Sequence, residues 1–309
     1  MQTAFVNFFD KRLGYPSFKK KAQKQSAEYT RSAFQYDPTT RKLSFAKLGA
    51  VKVRWSRAFV SDPTTATITK SPSGRYHVTL CLDEPEPHSL PKTGKVVGID
   101  LGLHRLATLS TGERISNPRH QGQRLRELAH AQRDLARRKK GSGRRNLARL
   151  KVARIQEKIA DTRADHLHKL TLDLVRRFDF LAIEDLHVRG MVQMRSLARS
   201  ISDVSFGMFR SLLEYKAKWY GKQVVVIDRF YPSSKTCSAC GWVNQDQLTL
   251  ATRDWLCKCG VKHDRDENAA RNILAVGQTV TARGGGVRLK RTPVRKSTRR
   301  RSVKQQGAA

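Results

Sequence analysis

Alternating apolar and polar side chains in the first third of the chain predict β-strands. The pattern runs through KLSFAKLG (42–49), VKVRWSR (51–57) and ATITKSPSGRYHVTLCL (66–82), where Ser-Pro-Ser-Gly predicts a hairpin turn. Cys81 stands alone on the last of these runs and is interpreted as a small core residue. A short aromatic helix precedes them, marked by Phe5, Phe8, Phe9 and Leu13. We therefore predict a partial β-rich domain over residues 1–93, ending in the proline-rich linker DEPEPHSLPKTG.

A different pattern begins at Lys95. KVVGIDLGLHRLATLSTG (95–112) is typical of two strands, the first so apolar that both of its faces should be buried. Residues 121–177 carry apolar residues at helical spacing, interrupted by KKGSGRR (139–145), and predict a basic helical hairpin. The two apolar stripes are Leu125, Leu128 and Leu135, then Val152, Ile155, Ile159, Leu170 and Leu174. His166 and His168 lie on the second helix and are interpreted as ordinary surface or seam residues.

Strands and helices continue to alternate in the C-terminal half, which indicates an α/β fold. The predicted elements are a buried strand FDFLAIED (178–185), a helix marked by Phe206, Phe209 and Leu213, a strand QVVVID (223–228) and a last helix ENAARNILA (267–275). No acidic residue follows Glu267, and we predict a disordered basic tail over residues 278–309.

Composition adds a strong charge bias. The 309 residues include 61 Lys and Arg against 26 Asp and Glu, which gives a formal net charge of +35 and a sequence pI near 10.8. A polycation of this kind implies a polyanionic partner, nucleic acid first and an anionic membrane surface as the alternative. The sequence has no apolar run long enough to span a membrane and no secretory leader, so we predict a cytoplasmic protein without a membrane partner.

Four of the five cysteines form two close pairs. Cys237 and Cys240 are a C-x-x-C pair followed by glycine, and Cys257 and Cys259 are a C-x-C pair also followed by glycine. Paired thiolates at this spacing in a cytosolic protein are typical of a tetrahedral Zn²⁺ site. Protein ligands then fill all four positions, so the predicted zinc is structural. The tighter second pair leaves open that His263 replaces one of its cysteines.

Three acidic residues stand where α/β proteins gather their functional groups. Asp100 ends the strand VVGID, Glu184 ends FLAIE, and Asp266 begins the last helix. Each alone could serve as a turn residue, an ion-pair partner or a helix cap. Converging carboxylates repel one another unless they are protonated or hold a divalent cation, and hard oxygen ligands select Mg²⁺ or Mn²⁺. On a chain that binds polyphosphate, this pattern predicts two-metal phosphodiester chemistry.

The same residues carry a resemblance to a known family. GIDLGLHRLATLS (98–110), LAIEDLHVRGM (181–191) and the motifs between YPSSKTCSACGW and WLCKCGVKHDRDENAARNIL (231–274) closely resemble the TnpB (OrfB) family of insertion-sequence proteins. Members of that family are described as transposases and act as RNA-guided DNA nucleases related to type V CRISPR effectors. The resemblance covers residues 1 to about 277. Its last motif is the most specific, because the cysteine pairs and the D-x-N-A-A-x-N-I run occur in the right order.

The resemblance implies an architecture within the α/β class. An RNase H-like (RuvC-type) nuclease core would occupy residues 94–236, with the helical hairpin of about 121–177 as an insertion. A zinc ribbon over 237–260 would be inserted before the last core segment, 261–277. The N-terminal residues would then form part of a β-barrel-like domain that binds nucleic acid.

The resemblance also implies roles for residues. Asp100, Glu184 and Asp266 match the catalytic, magnesium-binding triad by motif position, and the four paired cysteines match the ribbon. Asp266 is preferred over Asp264 because it directly precedes the x-N-A-A run. The implied activity is that of an Mg-dependent DNA endonuclease with structural Zn²⁺ and Mg²⁺ or Mn²⁺ at the acids. Its implied partners are DNA and a transposon-derived guide RNA, and its implied process is DNA transposition and recombination.

Two departures from the family pattern bear on this expectation. FVNFFDKRLGYPSFKKK (5–21) normally lies further into the family's N-terminal region, which suggests an N-terminally truncated copy. The C-x-C pair replaces the commoner C-x-x-C. A nuclease-inactive DNA- or RNA-binding accessory or repressor protein is the main alternative. A nucleotide-binding ATPase, suggested by GIDLG alone, is weaker because the other glycine motifs of such enzymes are missing.

Overall fold

The N-terminal part of the chain contains a short helix and six strands. In the computed structural model the described residues are 2–12, 14–16, 25–56, 58–59, 61–83, 89–244 and 252–282. The N-terminal elements are α1 (Gln2–Phe9), β1 (Gln25–Thr30), β2 (Phe34–Asp37), β3 (Lys42–Phe45), β4 (Gly49–Val51), β5 (Pro63–Lys70) and β6 (Tyr76–Leu82). They form two antiparallel sheets, with strand orders β1-β5-β6 and β2-β3-β4. Phe34, Leu43, Phe45 and Ala66 are buried between them.

The predicted hairpin of residues 66–82 is confirmed. β5 and β6 pair antiparallel up to Lys70 and Tyr76, and the Gly74 N–H closes the turn by donating to the Ser71 carbonyl at 3.0 Å. Leu13 of the predicted aromatic helix and residues 84–88 of the predicted linker lie outside the described residues.

The interpretation of Cys81 as a core residue is wrong, because its side chain is exposed. Val78, Leu80 and Leu82 are half-buried on β6, whereas Thr79 and Cys81 face solvent. Side chains alternate between the two faces of a strand, so the register that turns the leucines inward turns Cys81 outward.

A five-stranded mixed sheet forms the centre of the molecule. Its strands are β7 (Val96–Leu101), β8 (Arg105–Leu109), β9 (Arg114–Ser116), β10 (Phe180–Glu184) and β11 (Gln223–Ile227). The strand order is β11-β10-β7-β8-β9. β7, β10 and β11 pair in parallel, whereas β8 pairs antiparallel with β7 and β9 pairs antiparallel with β8. The buried strands predicted from VVGID and FLAIE and the strand predicted from QVVVID are therefore confirmed, and β9 was not predicted.

Helices cover this sheet and extend from it. They are α2 (His120–Gln123), α3 (Leu125–Arg137), α4 (Gly143–Arg177), α5 (Val188–Gln193), α6 (Ala198–Val204), α7 (Phe206–Trp219) and α8 (Arg265–Ala282). α3 and α4 form the predicted hairpin, joined by Leu128, Ala131, Val152, Ile155 and Ile159. No helix in the described segments is both long and apolar enough to cross a lipid bilayer.

The last helix is longer than predicted. α8 continues to Ala282 and includes the first five residues of the predicted disordered tail, 278–282. Gly277 packs against Ala182 and Phe180 of the sheet, and the helix continues past this contact, with the Thr281 hydroxyl donating to the Gly277 carbonyl at 3.0 Å. Residues 283–309 of the tail lie outside the described residues.

Two glycines allow α8 to lie directly on the sheet. A Cβ atom at Gly98 of β7 would be 2.7 Å from the Leu274 backbone nitrogen, and one at Gly277 would be 2.7 Å from the Ala182 Cβ. Both distances are too short for any side chain, so each position requires glycine. This close approach sets the position of the N-terminal end of α8 relative to the ends of β7 and β10.

Candidate metal centres

The four paired cysteines come together in one cluster. Their sulfur atoms all lie within 4.8 Å of one another, with Cys237 Sγ 3.8 Å from Cys259 Sγ and Cys240 Sγ 3.6 Å from Cys257 Sγ. Four sulfurs around a tetrahedral Zn²⁺, each about 2.3 Å from the ion, would lie about 3.8 Å apart. The cluster can therefore hold a metal such as zinc.

Backbone turns shape each half of the cluster. The Gly241 N–H donates to the Cys237 carbonyl and the Gly260 N–H to the Cys257 carbonyl, each at 2.9 Å. Gly241 and Gly260 have φ angles of 75° and 85°, which only glycine adopts readily. The glycine after each cysteine pair thus closes its turn. A two-stranded ribbon, β12 (Asp254–Leu256) and β13 (Lys262–Asp264), carries the second pair.

His263 contacts the cluster. Its Nε2 lies 3.0 Å from Cys237 Sγ, and its ring is buried against Trp255 with 4.8 Å between the ring centroids. Burial opposes ionisation, but the amides of Cys240 and Ala239, and then His263, lower the pKa of the Cys237 thiol to about 6. The lowered pKa favours the thiolate, which is the form that binds metals.

The three predicted acids lie at one edge of the central sheet. Asp100 follows Ile99 on β7, and Glu184 follows Ile183 on the parallel strand β10, where Ile99 and Ile183 are register partners. One further step along both strands places Asp100 beside Glu184. Since side chains two residues apart share a face, Asp100 lies on the face of Gly98 and Glu184 on that of Ala182, and α8 packs on this face.

Asp266 reaches the same place from the helix. Gly98 packs against Ala270 of α8, and Asp266 stands one helical turn before Ala270. The Asp100 carboxyl accordingly senses the charges of both Asp266 and Glu184. Within the described part of the chain, however, only the four cysteines form a group close enough to share a single ion. The three acids therefore lie at one edge of the sheet and interact electrostatically, but their carboxylate oxygens do not form one tight cluster.

The electrostatics of this edge are unfavourable for ionised carboxylates. Burial, followed by the negative charges of Asp266 and Glu184, raises the pKa of Asp100 well above its ordinary value. Burial and the charge of Asp185 also raise the pKa of Glu184. Arg253 forms an ion pair with Asp266, with its guanidinium nitrogen 3.6 Å from Oδ1. A divalent cation would remove this repulsion, and three carboxylates are the oxygen donors that Mg²⁺ and Mn²⁺ prefer.

The raised pKa of Asp100 predicts how the stability of the metal-free protein depends on pH. The native state binds the Asp100 proton more tightly than the unfolded chain does. The stabilisation that this bound proton gives the native state is full below the ordinary carboxyl range, about pH 4. It is lost as pH rises through the raised pKa. We expect the free energy of unfolding of Asp100→Asn to exceed that of the wild type increasingly over this window, as measured by urea denaturation in chelator. The exposed control Asp165→Asn should show no such trend, and a constant difference for Asp100→Asn would contradict the prediction.

Neighbouring acids are already neutralised by arginines. Asp185 is bonded to both Arg210 and Arg229, and Asp264 lies 2.8 Å from Arg114 and 3.6 Å from Arg105. The Asp264 carboxylate also caps α8, since its Oδ1 accepts from the backbone N–H groups of Asp266 and Glu267. Against the effect of burial, these partners lower the pKa of Asp264. The Asp264 side chain therefore has a structural role, as the cap of α8 and a partner of two arginines, that the Asp266 side chain does not share.

Sequence reasoning missed the role of two asparagines in the D-x-N-A-A-x-N run. Asn268 and Asn272 are buried, and their side-chain amides both donate to the Thr236 carbonyl, at 2.7 and 2.6 Å. Asn272 also donates to the Ser233 carbonyl at 2.8 Å. The signal was their spacing of four residues, which places both side chains on one face of a helix. They join α8 to the loop that enters the cysteine cluster.

A cavity of about 430 Å³ opens beside the acidic edge. Arg253, which pairs with Asp266, lies in its wall, together with Arg119 and Arg199. Leu103, three residues after Asp100, contributes an apolar surface. The combination of guanidinium groups and apolar side chains suits a segment of nucleic acid, with its phosphates and its bases.

Two family models match the chain. The OrfB_IS605 family, described as "Probable transposase", matches residues 79–195, and the Cas12f1-like TNB domain matches residues 206–273. A Streptomyces pristinaespiralis protein with the name "Putative RNA-guided DNA endonuclease" is 49% identical over 313 aligned residues. The alignment covers 99% of this chain and 76% of that protein. This chain belongs to the TnpB family.

Another TnpB-family relative and one solved structure extend the comparison. InsQ of Escherichia coli K12, also named as an RNA-guided DNA endonuclease, is 31% identical over 300 residues. The alignment covers 92% of this chain and 74% of InsQ. The cryo-EM structure of Cas12f1 with its guide RNA and target DNA matches with a TM-score of 0.55 at 14% identity, over 88% of this chain and 68% of that one. The TnpB-family chain thus shares the mixed α/β fold of Cas12f1.

Proposed function

We propose that this TnpB-family chain is an RNA-guided, divalent-metal-dependent DNA endonuclease encoded by an insertion sequence. The observation that carries the proposal is the placement of Asp100, Glu184 and Asp266 at one edge of the sheet, where two of them raise the pKa of the third. On a chain with a net charge of +35, we interpret this group of acids as a binding site for a cation and not as ion-pair partners for the basic side chains of the surface. The names of the relatives agree with this activity.

The three carboxylates would hold Mg²⁺ or Mn²⁺ at the acidic edge. When bound, the cations supply activation of a water for in-line attack and stabilisation of the departing 3′ oxygen. The protein orients the ligands: the β7–β10 register sets Asp100 beside Glu184, and the capped first turn of α8 sets Asp266. Arg253 and the neighbouring cavity would receive the phosphate backbone on its way to the acids.

The helical hairpin α3–α4 would provide much of the nucleic-acid interface. Its exposed basic residues make contacts that depend on the phosphate backbone rather than on sequence, so base pairing with the guide would select the target. These residues are Arg126, Arg133, Arg137, Arg138, Lys139, Lys140, Arg144, Arg149, Lys151, Arg154 and Lys158.

The domain assignment forms part of the same proposal. Residues 94–236 and 261–277 would form the RuvC-type core, 237–260 a zinc ribbon with Zn²⁺ on the four cysteines, and 1–93 a partial β-rich nucleic-acid-binding domain. The 3.6 and 3.8 Å sulfur separations support the zinc assignment. With four protein ligands, the zinc would serve the fold and leave the chemistry to the acidic edge.

Reconstitution tests the proposed activity. We expect the purified protein, with its insertion-sequence RNA, to cut DNA matching the guide in Mg²⁺ or Mn²⁺ and to be inactive in EDTA or Ca²⁺, because the carboxylates need a small catalytic cation. Product is measured on denaturing gels with end-labelled DNA.

A mismatched guide is the control for RNA guidance. Cleavage that is independent of the guide would contradict that part of the proposal. Tight RNA binding without any product in any divalent metal would instead support a nuclease-inactive accessory or repressor role.

A further inference from the structure

The backbone around Cys237 is hydrogen-bonded to a side chain of α8, the helix that carries Asp266. The Asn268 Oδ1 accepts from the Ser238 backbone N–H at 2.9 Å, and its Nδ2 donates to the Thr236 carbonyl at 2.7 Å. These are the two residues on either side of Cys237. A single carboxamide, 1% exposed, therefore fixes the backbone on both sides of the Cys237 thiol.

A second contact holds the sulfur atom of Cys237 itself. His263 Nε2 lies 3.0 Å from Cys237 Sγ, and the packing of its ring on Trp255 fixes the direction of that contact. In this geometry His263 acts as a hydrogen-bonding neighbour of a thiolate rather than as a fifth ligand. Hydrogen bonds of this kind orient a metal ligand and tune its affinity.

Asp266 stands between these two contacts along the chain. It follows His263 by three residues and precedes Asn268 by two, and no flexible segment intervenes because β13 ends at Asp264 and α8 begins at Arg265. The Asp264 carboxylate stabilises the junction between β13 and α8 by accepting a hydrogen bond from the Asp266 N–H at 3.1 Å. Any change at Cys237 that moves His263 or Asn268 must therefore move the backbone of Asp266.

We propose that Asn268 is a positioning residue that couples the cysteine cluster to the acidic edge, so that metal at the cysteines strengthens cation binding by Asp266 and its partners. The proposal rests on the proposed function and adds a means of regulation: loss of the structural metal lowers the affinity of the acids for a divalent cation. Such coupling is reciprocal, so a cation at the acids also strengthens metal binding by the cysteines.

Asn272 provides a matched control. It is the same amino acid, buried on the same helix, and it donates to the same Thr236 carbonyl, but the Ser238 N–H donates to Asn268 and not to Asn272. Truncation of Asn268 leaves the Ser238 N–H without this acceptor, whereas Thr236 keeps its bond to Asn272. Truncation of Asn272 removes a comparable buried amide without releasing the residue that follows Cys237.

The test measures Mn²⁺ binding to the full-length, RNA-free protein by EPR, with zinc content determined on the same samples. We expect Asn268→Ala to retain zinc but to weaken Mn²⁺ binding about tenfold, the usual scale for loss of a partner behind a metal ligand. Asn272→Ala should keep Mn²⁺ affinity within about twofold of the wild type. Removal of zinc by a zinc-selective chelator should weaken Mn²⁺ binding in the wild type and change it little in Asn268→Ala.

The outcomes separate this proposal from the proposed function. Unchanged Mn²⁺ affinity in a zinc-loaded Asn268→Ala protein overturns the coupling, as does an equal loss in Asn272→Ala. If Asn268→Ala does not fold, His263→Gln tests the other contact with the same readout, and an unchanged Mn²⁺ affinity there overturns the coupling too. If Asp100→Asn leaves Mn²⁺ binding intact, the acids are not the cation site and the proposed function fails as well.

Discussion

Asp100→Asn is expected to lower Mg²⁺-dependent cleavage of guide-matched DNA at least about a thousandfold, because each metal ligand supports several kcal/mol of transition-state stabilisation. The substitution keeps the shape of the side chain and removes only its charge. Since Asp100 is the acid whose pKa responds to both Asp266 and Glu184, it lies at the centre of the group. Single-turnover cleavage by the protein–RNA complex measures the effect.

Separate measurements exclude loss of folding as the cause. RNA affinity should stay unchanged, and the metal-free Asp100→Asn protein should be more stable than the wild type above the ordinary carboxyl range, because asparagine removes the cost of burying an ionisable carboxyl group. Asp165→Asn, which changes an exposed carboxylate on α4 that pairs with Lys169, should retain full cleavage. Full activity in Asp100→Asn would remove Asp100 from the proposed catalytic group.

Cys257→Ser is expected to abolish zinc binding and to unfold the ribbon. A four-cysteine zinc site contributes roughly 10 kcal/mol or more to the folding of a small metal-bound unit. The described ribbon has few other sources of stability: beyond the buried cysteines, its core is Trp255 with Trp242 packed beside it. We expect zinc content to fall from about one ion per chain to near zero and the segment around Cys257 to become sensitive to protease.

The unfolding should remain local, because Gly98 and Gly277 pack α8 on the sheet independently of the ribbon. Cleavage should fall with the zinc content, since β13 leads directly into the turn that carries Asp266. The control is Cys81→Ser, which changes an exposed thiol on β6 and should alter none of these readouts. A Cys257→Ser protein with full zinc content and an intact ribbon would contradict the assignment of Cys257 as a ligand.

Local pattern was sufficient to find most elements of the fold. β7 and β10 were recognisable as short continuous apolar runs that are buried on both faces, whereas the hairpin of β5 and β6 and the two stripes of α3 and α4 carry the period of a strand or helix with one buried side. The pattern failed where packing decides. Cys81 faces outward because β6 pairs in one register, and the close fit of Gly277 against the sheet shows only in the folded structure.

The candidate sites show the same division. Spacing alone singled out Cys237, Cys240, Cys257 and Cys259, because two turns closed by glycine bring each pair together locally. The acids at strand ends and at a helix start were also recognisable, and their catalytic role stays a prediction. Asn268 was not recognisable as a link between the two sites, since its partners lie some thirty residues away along the chain.

The amino-acid sequence alone determined the strands, the helical hairpin, the excess of positive charge and two sets of candidate metal-binding side chains, because each of these shows in composition or in local spacing. Only the folded structure determined how residues that are far apart in the sequence are placed relative to one another. It placed Asp100 beside Glu184 through strand register, brought Asp266 to them through the contact of α8 with Gly98, and joined Cys237 to that helix through Asn268. Such relations depend on which surfaces fit together in three dimensions, and no periodicity along a single chain records that fit.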